Sequence, residues 1–180
     1  MIRRLALLLP LIALAGCDPI SEDECRAGNW QERGFADGQA GRSVAVLEKY
    51  TEICGGFGIT PMRDIYLAAR TQGLGLYCTP ANAYDIGRNG NRINAVCPVD
   101  QAKRMAPAFR KGARYHDLTE EMDAIDREIS SLKAQLAEHF VGELTDVQRA
   151  EARGIRRDIR SLEHDKFRLS FDRRAYDGWP

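Results

Sequence analysis

Cysteine is the residue type with the most chemical content in this chain. The count is five in 180 residues, and an odd number sets one cysteine apart from the rest. Cys25, Cys54, Cys78 and Cys97 are spread along the body of the chain. They form no C-x-x-C pair and no cluster with histidine, which a zinc site would need. Two disulfides therefore take precedence over a zinc site or four free thiols. His116, His139 and His164 all lie late in the chain. Glu163 and Asp165 flank His164 but point to different sides of a helix. No G-x-S-x-G, no H-E-x-x-H and no glycine-rich nucleotide loop after a strand is present. The expectation is no catalytic constellation, no metal and no cofactor. Asp37, between Gly34 and Gly38 and close to Tyr50 if two helices pack, is the one isolated candidate for a buried polar site. It reads equally well as a structural hydrogen-bond anchor.

The elements that must position these residues read as helices. Asn29 with Glu32 resembles a capping box, starting a helix from about Trp30 to about Ala40. Gly41-Arg42-Ser43 turns the chain into a second helix from about Val44 to Cys54, ended by Gly55-Gly56. Two antiparallel helices of similar length bring Cys54 back to Cys25, which predicts a Cys25–Cys54 bridge. Thr60-Pro61 starts a third helix that reaches about Leu76. Thr79-Pro80 starts a short fourth, ended by Gly87 to Gly90, and Cys97-Pro98 starts a fifth. Cys78 and Cys97 flank the short helix, which predicts a Cys78–Cys97 bridge.

Aromatic and small residues recur through this region. Trp30, Gly34 and Gly38 share one stripe; Tyr66 precedes Ala69 and Gly73; Tyr84 precedes Gly87 and Gly90; Phe109 precedes Gly112. Glycine inside a helix costs about 1 kcal/mol relative to alanine, so close approach of another backbone or ring must offset it. With Tyr77, these residues form either a packing surface or a ligand surface floored by glycine.

From residue 116 the pattern changes. Leu118, Met122, Ile125, Ile129, Leu132 and Leu136 make a heptad seam. A break at 141–144 follows, and Thr145 with Gln148 resembles a capping box. Val147, Ile155, Ile159, Leu162 and Leu169 make a second seam. The expectation is an antiparallel, coiled-coil-like helical hairpin over 116–170 with a tail at 171–180. Asp123 and Asp126 should fall near Arg157 and Arg160. The stripe Arg149, Arg153, Arg156 and Arg160 either flanks the seam or meets anionic lipid headgroups or an acidic partner. A two-helix hairpin has little core of its own, so self-association or docking on another protein is expected.

The first residues read as an address. Arg3 and Arg4 precede an apolar run from Leu5 to Leu14, too short to span a bilayer core of about 30 Å. Leu14-Ala15-Gly16-Cys17 resembles the lipobox of bacterial lipoproteins. That resemblance implies cleavage before Cys17, a lipid on its sulfur, and residence facing an oxidising compartment where the other four cysteines pair. Asp18 resembles an inner-membrane retention residue. The expected layout is a signal at 1–16, a lipidated linker at 17–21 and a helical domain at 22–115. Removing Arg3 and Arg4 leaves 24 basic against 26 acidic residues, a net of −2, which argues against nucleic acid as a partner.

Asn29-Trp30, Asp37-Gly38, Tyr66, Gly73-Leu74, Tyr77-Cys78-Thr79-Pro80, Gly87-Arg88-Asn89-Gly90 and Val96-Cys97-Pro98 resemble an uncharacterised proteobacterial envelope lipoprotein family, a domain of unknown function. The resemblance covers about residues 22–115, with departures at Ala69 and Ile93. It implies cell-envelope residence, facing the periplasm, and no particular activity. The functional expectation is a lipid-anchored envelope protein with a structural or protein-interaction role. A peptidoglycan or small-ligand binding module is the alternative.

Overall fold

The computed structural model describes residues 20–180. The expected signal at 1–16, the lipid site Cys17 and Asp18 lie outside the described residues. Within them the chain is all-helical, with no strand. The helices are α1 (Glu22–Ala27), α2 (Trp30–Gln39), α3 (Val46–Gly55), α4 (Arg63–Tyr77), α5 (Pro80–Arg88), α6 (Val99–His139) and α7 (Asp146–Arg174).

Capping explains several boundaries. Ser21 and Glu24 form a reciprocal capping box that starts α1, with the cap Ser21 at the end of the stretch expected to be linker. Ile20 is buried in the core, so the fold begins earlier than expected. The capping role assigned to Asn29 is not taken up. Gly28 is left-handed, and Trp30 N donates to its carbonyl at 2.7 Å, a tight turn that replaces the side-chain cap. Thr60 does not cap α4 either, because that helix starts after Met62. Thr79 does cap α5, accepting from Asn82 N at 3.2 Å with Pro80 in the first helical turn. Thr145 and Gln148 form the box that starts α7.

Two crossed helix pairs dominate the first half, α2 on α4 and α5 on α6. Each crosses at small residues. Gly34 and Gly38 of α2 face the backbone of α4 at Tyr66 and Arg70, and Gly73 of α4 faces Phe35 and Gln39 of α2. In the second pair Gly87 faces Phe109 and Ala113, while Gly112 faces Tyr84 and Arg88. A Cβ at any of these five glycines would stand closer than 3.0 Å to backbone of the opposite helix. The helices are therefore in backbone contact, as in small-xxx-small crossings.

The two pairs superpose in number as well as in kind. Adding 49 to the α2 positions Phe35, Gly38, Gln39 and Gly41 gives Tyr84, Gly87, Arg88 and Gly90. Adding 39 to the α4 positions Ala69, Arg70, Gly73, Leu74 and Tyr77 gives Ala108, Phe109, Gly112, Ala113 and His116. Each matched set makes the same contacts, down to a ring (Tyr77, His116) lying over a left-handed glycine (Gly41, Gly90). Both glycines end their helices identically. Arg42 N donates to Asp37 O at 2.8 Å and Asn91 N to Ile86 O at 3.0 Å, the long bond of a Schellman cap. Gly90 is thus a cap rather than a member of the packing stripe, and Ala83 pairs with Gly87 in its place. The domain is a tandem of one unit.

Each unit has its own core and its own staple. The first gathers Ile20, Trp30, Leu47, Tyr50 and Tyr66 around the Cys25–Cys54 bridge. The second gathers Tyr77, Ala83, Tyr84, Met105 and Ala108 around Cys78–Cys97. In both, the disulfide joins the segment before the first crossing helix to the segment before the second. Closing loops of 29 and 19 residues, each bridge adds roughly 3–4 kcal/mol on the chain-entropy argument.

The boundary expected at 115/116 falls inside a helix. α6 is 41 residues long, about 60 Å, and passes unbroken from the second unit into the hairpin despite Pro107 in its interior. Leu118, Met122 and Ile129 of α6 and Ala152 and Ile159 of α7 are buried, with Ile125, Leu132, Leu136, Ile155, Leu162 and Leu169 half-buried. Val147 is 76% exposed and is not part of the seam. The expected tail is also revised: α7 continues to Arg174, and the last residues fold back on the second unit. There Trp179 joins the second core and the Tyr84 hydroxyl donates to Tyr176 O at 2.9 Å.

Candidate functional site

Asp37 is the one buried charged residue among those described, 2% exposed. α2 carries it on the turn between Gly34 and Gly38, where backbone contact with α4 brings Tyr66 alongside. α3 brings Tyr50 from the other side. Both hydroxyls donate to Oδ2, Tyr50 at 2.9 Å and Tyr66 at 2.7 Å. Arg42, in the turn after α2, reaches Oδ1 at 3.2 Å. The carboxylate is thus satisfied on both oxygens, as a buried charge must be. Burial pushes the Tyr66 hydroxyl far above its ordinary value, reinforced by the hydrogen bond to Asp37 and its negative charge. Tyr50 moves the same way, first through burial. Its hydrogen bond, and then the Asp37 charge, hold Arg42 more firmly protonated.

This arrangement has the chemistry of a clamp. Both carboxylate oxygens and both tyrosine hydroxyls face another member of the group, and three helices are tied to one carboxylate. Trp30 packs on Tyr50 with ring centroids 6.5 Å apart, and Tyr50 meets Tyr66 edge-on at 6.2 Å. Arg33 lies over the open face of Tyr50, 5.5 Å from its centroid. Beside them a recess of about 300 Å³ opens between α1 and α2, bordered by Ile20, Glu24, Trp30, Glu32 and Arg33.

The other residues singled out in the sequence are placed as follows. Gly34, Gly38, Gly73 and Gly87 lie in the helix crossings, sealed from solvent. Tyr77 covers Gly41 and accepts from Asn94 N at 2.9 Å, while Asn94 Nδ2 donates to Gly41 O at 3.0 Å, which links the two units. Tyr84 accepts from Gly178 N at 2.7 Å. Arg88 pairs with Asp177 at 2.7 Å and stacks on Tyr115, 4.1 Å from its centroid. Sequence reasoning missed this second polar cluster, because nothing local marks residues 175–180 as folding back. The Ser21-x-x-Glu24 spacing, by contrast, is a local signal for α1, a helix the sequence reading did not include.

On the hairpin, Asp126 pairs with Lys166 at 2.7 Å and Lys133 with Glu163 at 3.4 Å. The expected partners Arg157 and Arg160 sit about two turns nearer the tip, since α7 enters the seam at Ala152 rather than Val147. Arg149 is occupied by Asp146 at 2.6 Å. Among the described residues no group of three or more His, Cys, Asp or Glu could hold a metal ion, and no helix is long and apolar enough to cross a membrane.

Residues 29–114 are similar to a family described as "Protein of unknown function (DUF2799)", a stretch that runs from the start of α2 through the first turns of α6. No curated protein and no solved structure matches the chain.

Proposed function

We propose that this protein is a lipid-anchored component of a bacterial cell envelope, attached through Cys17 and facing the periplasm, that holds a rigid helical hairpin as a docking arm for another envelope protein. The observation that carries this reading is the continuity of α6. One helix belongs both to the stapled tandem and to the hairpin, so the hairpin has a fixed direction relative to the body. The hairpin leaves large side chains uncovered near its tip, including Val141 and Val147 at 72% and 76% exposure. The match to a domain of unknown function covers the body and stops where the hairpin begins, which supports separate roles for support and contact. The alternative, a peptidoglycan or small-ligand module, draws less support, because Trp30, Tyr66 and the glycines are buried in packing.

Crosslinking in intact envelopes, read by mass spectrometry, tests the arm. The comparison is the full chain against a variant in which residues 134–162 are replaced by a short Gly-Ser turn. That change keeps the Asp126–Lys166 and Lys133–Glu163 pairs at the base. A specific partner crosslinked by the first and lost from the second is the expected result. An identical crosslink pattern sinks the docking role. The same spectra report acylation at Cys17.

A further inference from the structure

α7 has a second face that the hairpin does not use. Opposite the buried Ala152 and Ile159, the residues Arg153, Arg157, Arg160, Phe167, Phe171 and Arg174 follow at spacings of three, four or seven, all exposed. His164 fills the remaining place in the row. From Ala150 to Arg174, about 36 Å of helix, the row itself holds no carboxylate, and the one bordering it, Glu163, lies on the edge toward α6 and is paired with Lys133 at 3.4 Å. α7 does not lack them: Glu151, Asp158, Asp165 and Asp172 follow their own seven-residue row along one flank. The segregation is therefore positional rather than compositional.

The arginines of this face are free of partners. Arg153, Arg157, Arg160 and Arg174 make no ion pair among the described residues, whereas Arg149, Lys166 and Arg168 elsewhere on α7 each have one. Arg156 on the flank joins Arg153, Arg157 and Arg160 around a shallow depression of about 370 Å³. Farther along, Phe167 and Phe171 stand out from the helix one turn apart, and Arg174 lies 5.7 Å from the centroid of the Phe171 ring. A face kept only for solubility mixes both signs and hides its aromatics. A row of unpaired arginines with exposed phenylalanines suits an anionic membrane surface, where guanidinium groups meet phosphates and aromatic rings sit at the boundary of headgroups and acyl chains.

We propose that this face of α7 rests on an anionic phospholipid surface. The arginines meet lipid phosphates, and Phe167 and Phe171 enter the boundary between headgroups and acyl chains. The inference rests on the membrane-attached reading above and adds a second, non-covalent contact with the bilayer.

The test uses the oxidised chain from Cys17 to Pro180 carrying Cys17→Ser, which has no acyl anchor; the fold described above is built from residues within it. Co-sedimentation with phosphatidylglycerol/phosphatidylethanolamine vesicles should be at least about tenfold stronger than with phosphatidylcholine vesicles, and should weaken as salt is added. Replacing Arg153→Gln, Arg157→Gln and Arg160→Gln together should weaken binding to the anionic vesicles roughly a hundredfold. The pair Phe167→Ser and Phe171→Ser should weaken it about tenfold while keeping the salt dependence. All are exposed positions, and unchanged melting checks that each variant is folded. Equal binding to both vesicle types, or a triple glutamine variant that binds like the parent, overturns the proposal. So does binding to polyglutamate without binding to anionic vesicles, which assigns the face to an acidic protein. Crosslinking of the acylated chain carrying the triple glutamine change, whose hairpin is intact, reads the docking arm separately, so either idea can fail alone.

Discussion

A single carboxylate holds the first unit together. Asp37 accepts from two buried tyrosines and an arginine, so removing it strands two hydroxyls that water cannot reach. Asp37→Ala should lower stability by about 3 kcal/mol in urea titration, beyond the 1 kcal/mol or so of an ordinary hydrogen bond. The tyrosines give this clamp a pH signature. Their protons are held above the ordinary value of 10.0 in the folded protein. The unfolded chain releases them near that pH, so their contribution is whole below pH 10 and declines as pH rises beyond it. Melting temperature should therefore drop on the alkaline side of pH 10, and Tyr66→Phe should make the drop shallower. A melting profile of unchanged steepness would show that the Tyr66 proton is not held above its ordinary value in the folded protein. The sequence placed Asp37 beside Tyr50 but not beside Tyr66, which lies 29 residues away and arrives only when α4 crosses α2.

At the scale of elements, glycine has two opposite roles. Gly73 sits in a crossing, where a methyl group would collide with the backbone at Phe35 and Gln39 and force the helices apart. Gly154 lies inside α7 with nothing within 4 Å of its missing Cβ. Gly73→Ala should destabilise by about 3 kcal/mol or more, in line with overpacked cores, while Gly154→Ala should stabilise by up to about 1 kcal/mol through helix propensity. Chemical denaturation of both variants separates the cases; a mild Gly73→Ala would mean that the crossing gives way easily. The glycines and their spacing are visible in the sequence. Their pairing across helices is not, because Gly87 pairs with Ala83 one turn before it, while Gly90 belongs to a cap. The duplication at offsets of 49 and 39 was similarly hidden, since the two copies share contacts more than residue types.

The whole molecule is a stapled tandem with a long arm, closed by its own last residues. Tyr176, Asp177, Gly178 and Trp179 return to α5, where they occupy Tyr84 and Arg88. Removing residues 175–180 should therefore destabilise the second unit by about 2 kcal/mol, from one partly buried aromatic and the hydrogen bonds of its neighbours. Near-ultraviolet circular dichroism during melting reads the change, and an unaltered transition would show the segment to be unimportant. Reduction of both disulfides should cost more than that truncation, since each closes a loop in the unfolded chain.

Helix type, the two bridges, the hairpin and every seam residue but Val147 were determined by the sequence itself, because caps, proline, glycine and heptad spacing act within a few residues of one another. Four decisions belonged to tertiary structure: the unbroken α6, the register of the hairpin, the duplicated crossing, and the return of the C-terminus. Each depends on which surfaces meet after the helices have formed, and a helix end or a charged row looks the same in sequence whatever lies across from it. The arginine row shows the difference most plainly. Its spacing is written in the chain, but that it faces outward, unpaired and in line with Phe167 and Phe171, follows only from the side of α7 that α6 covers.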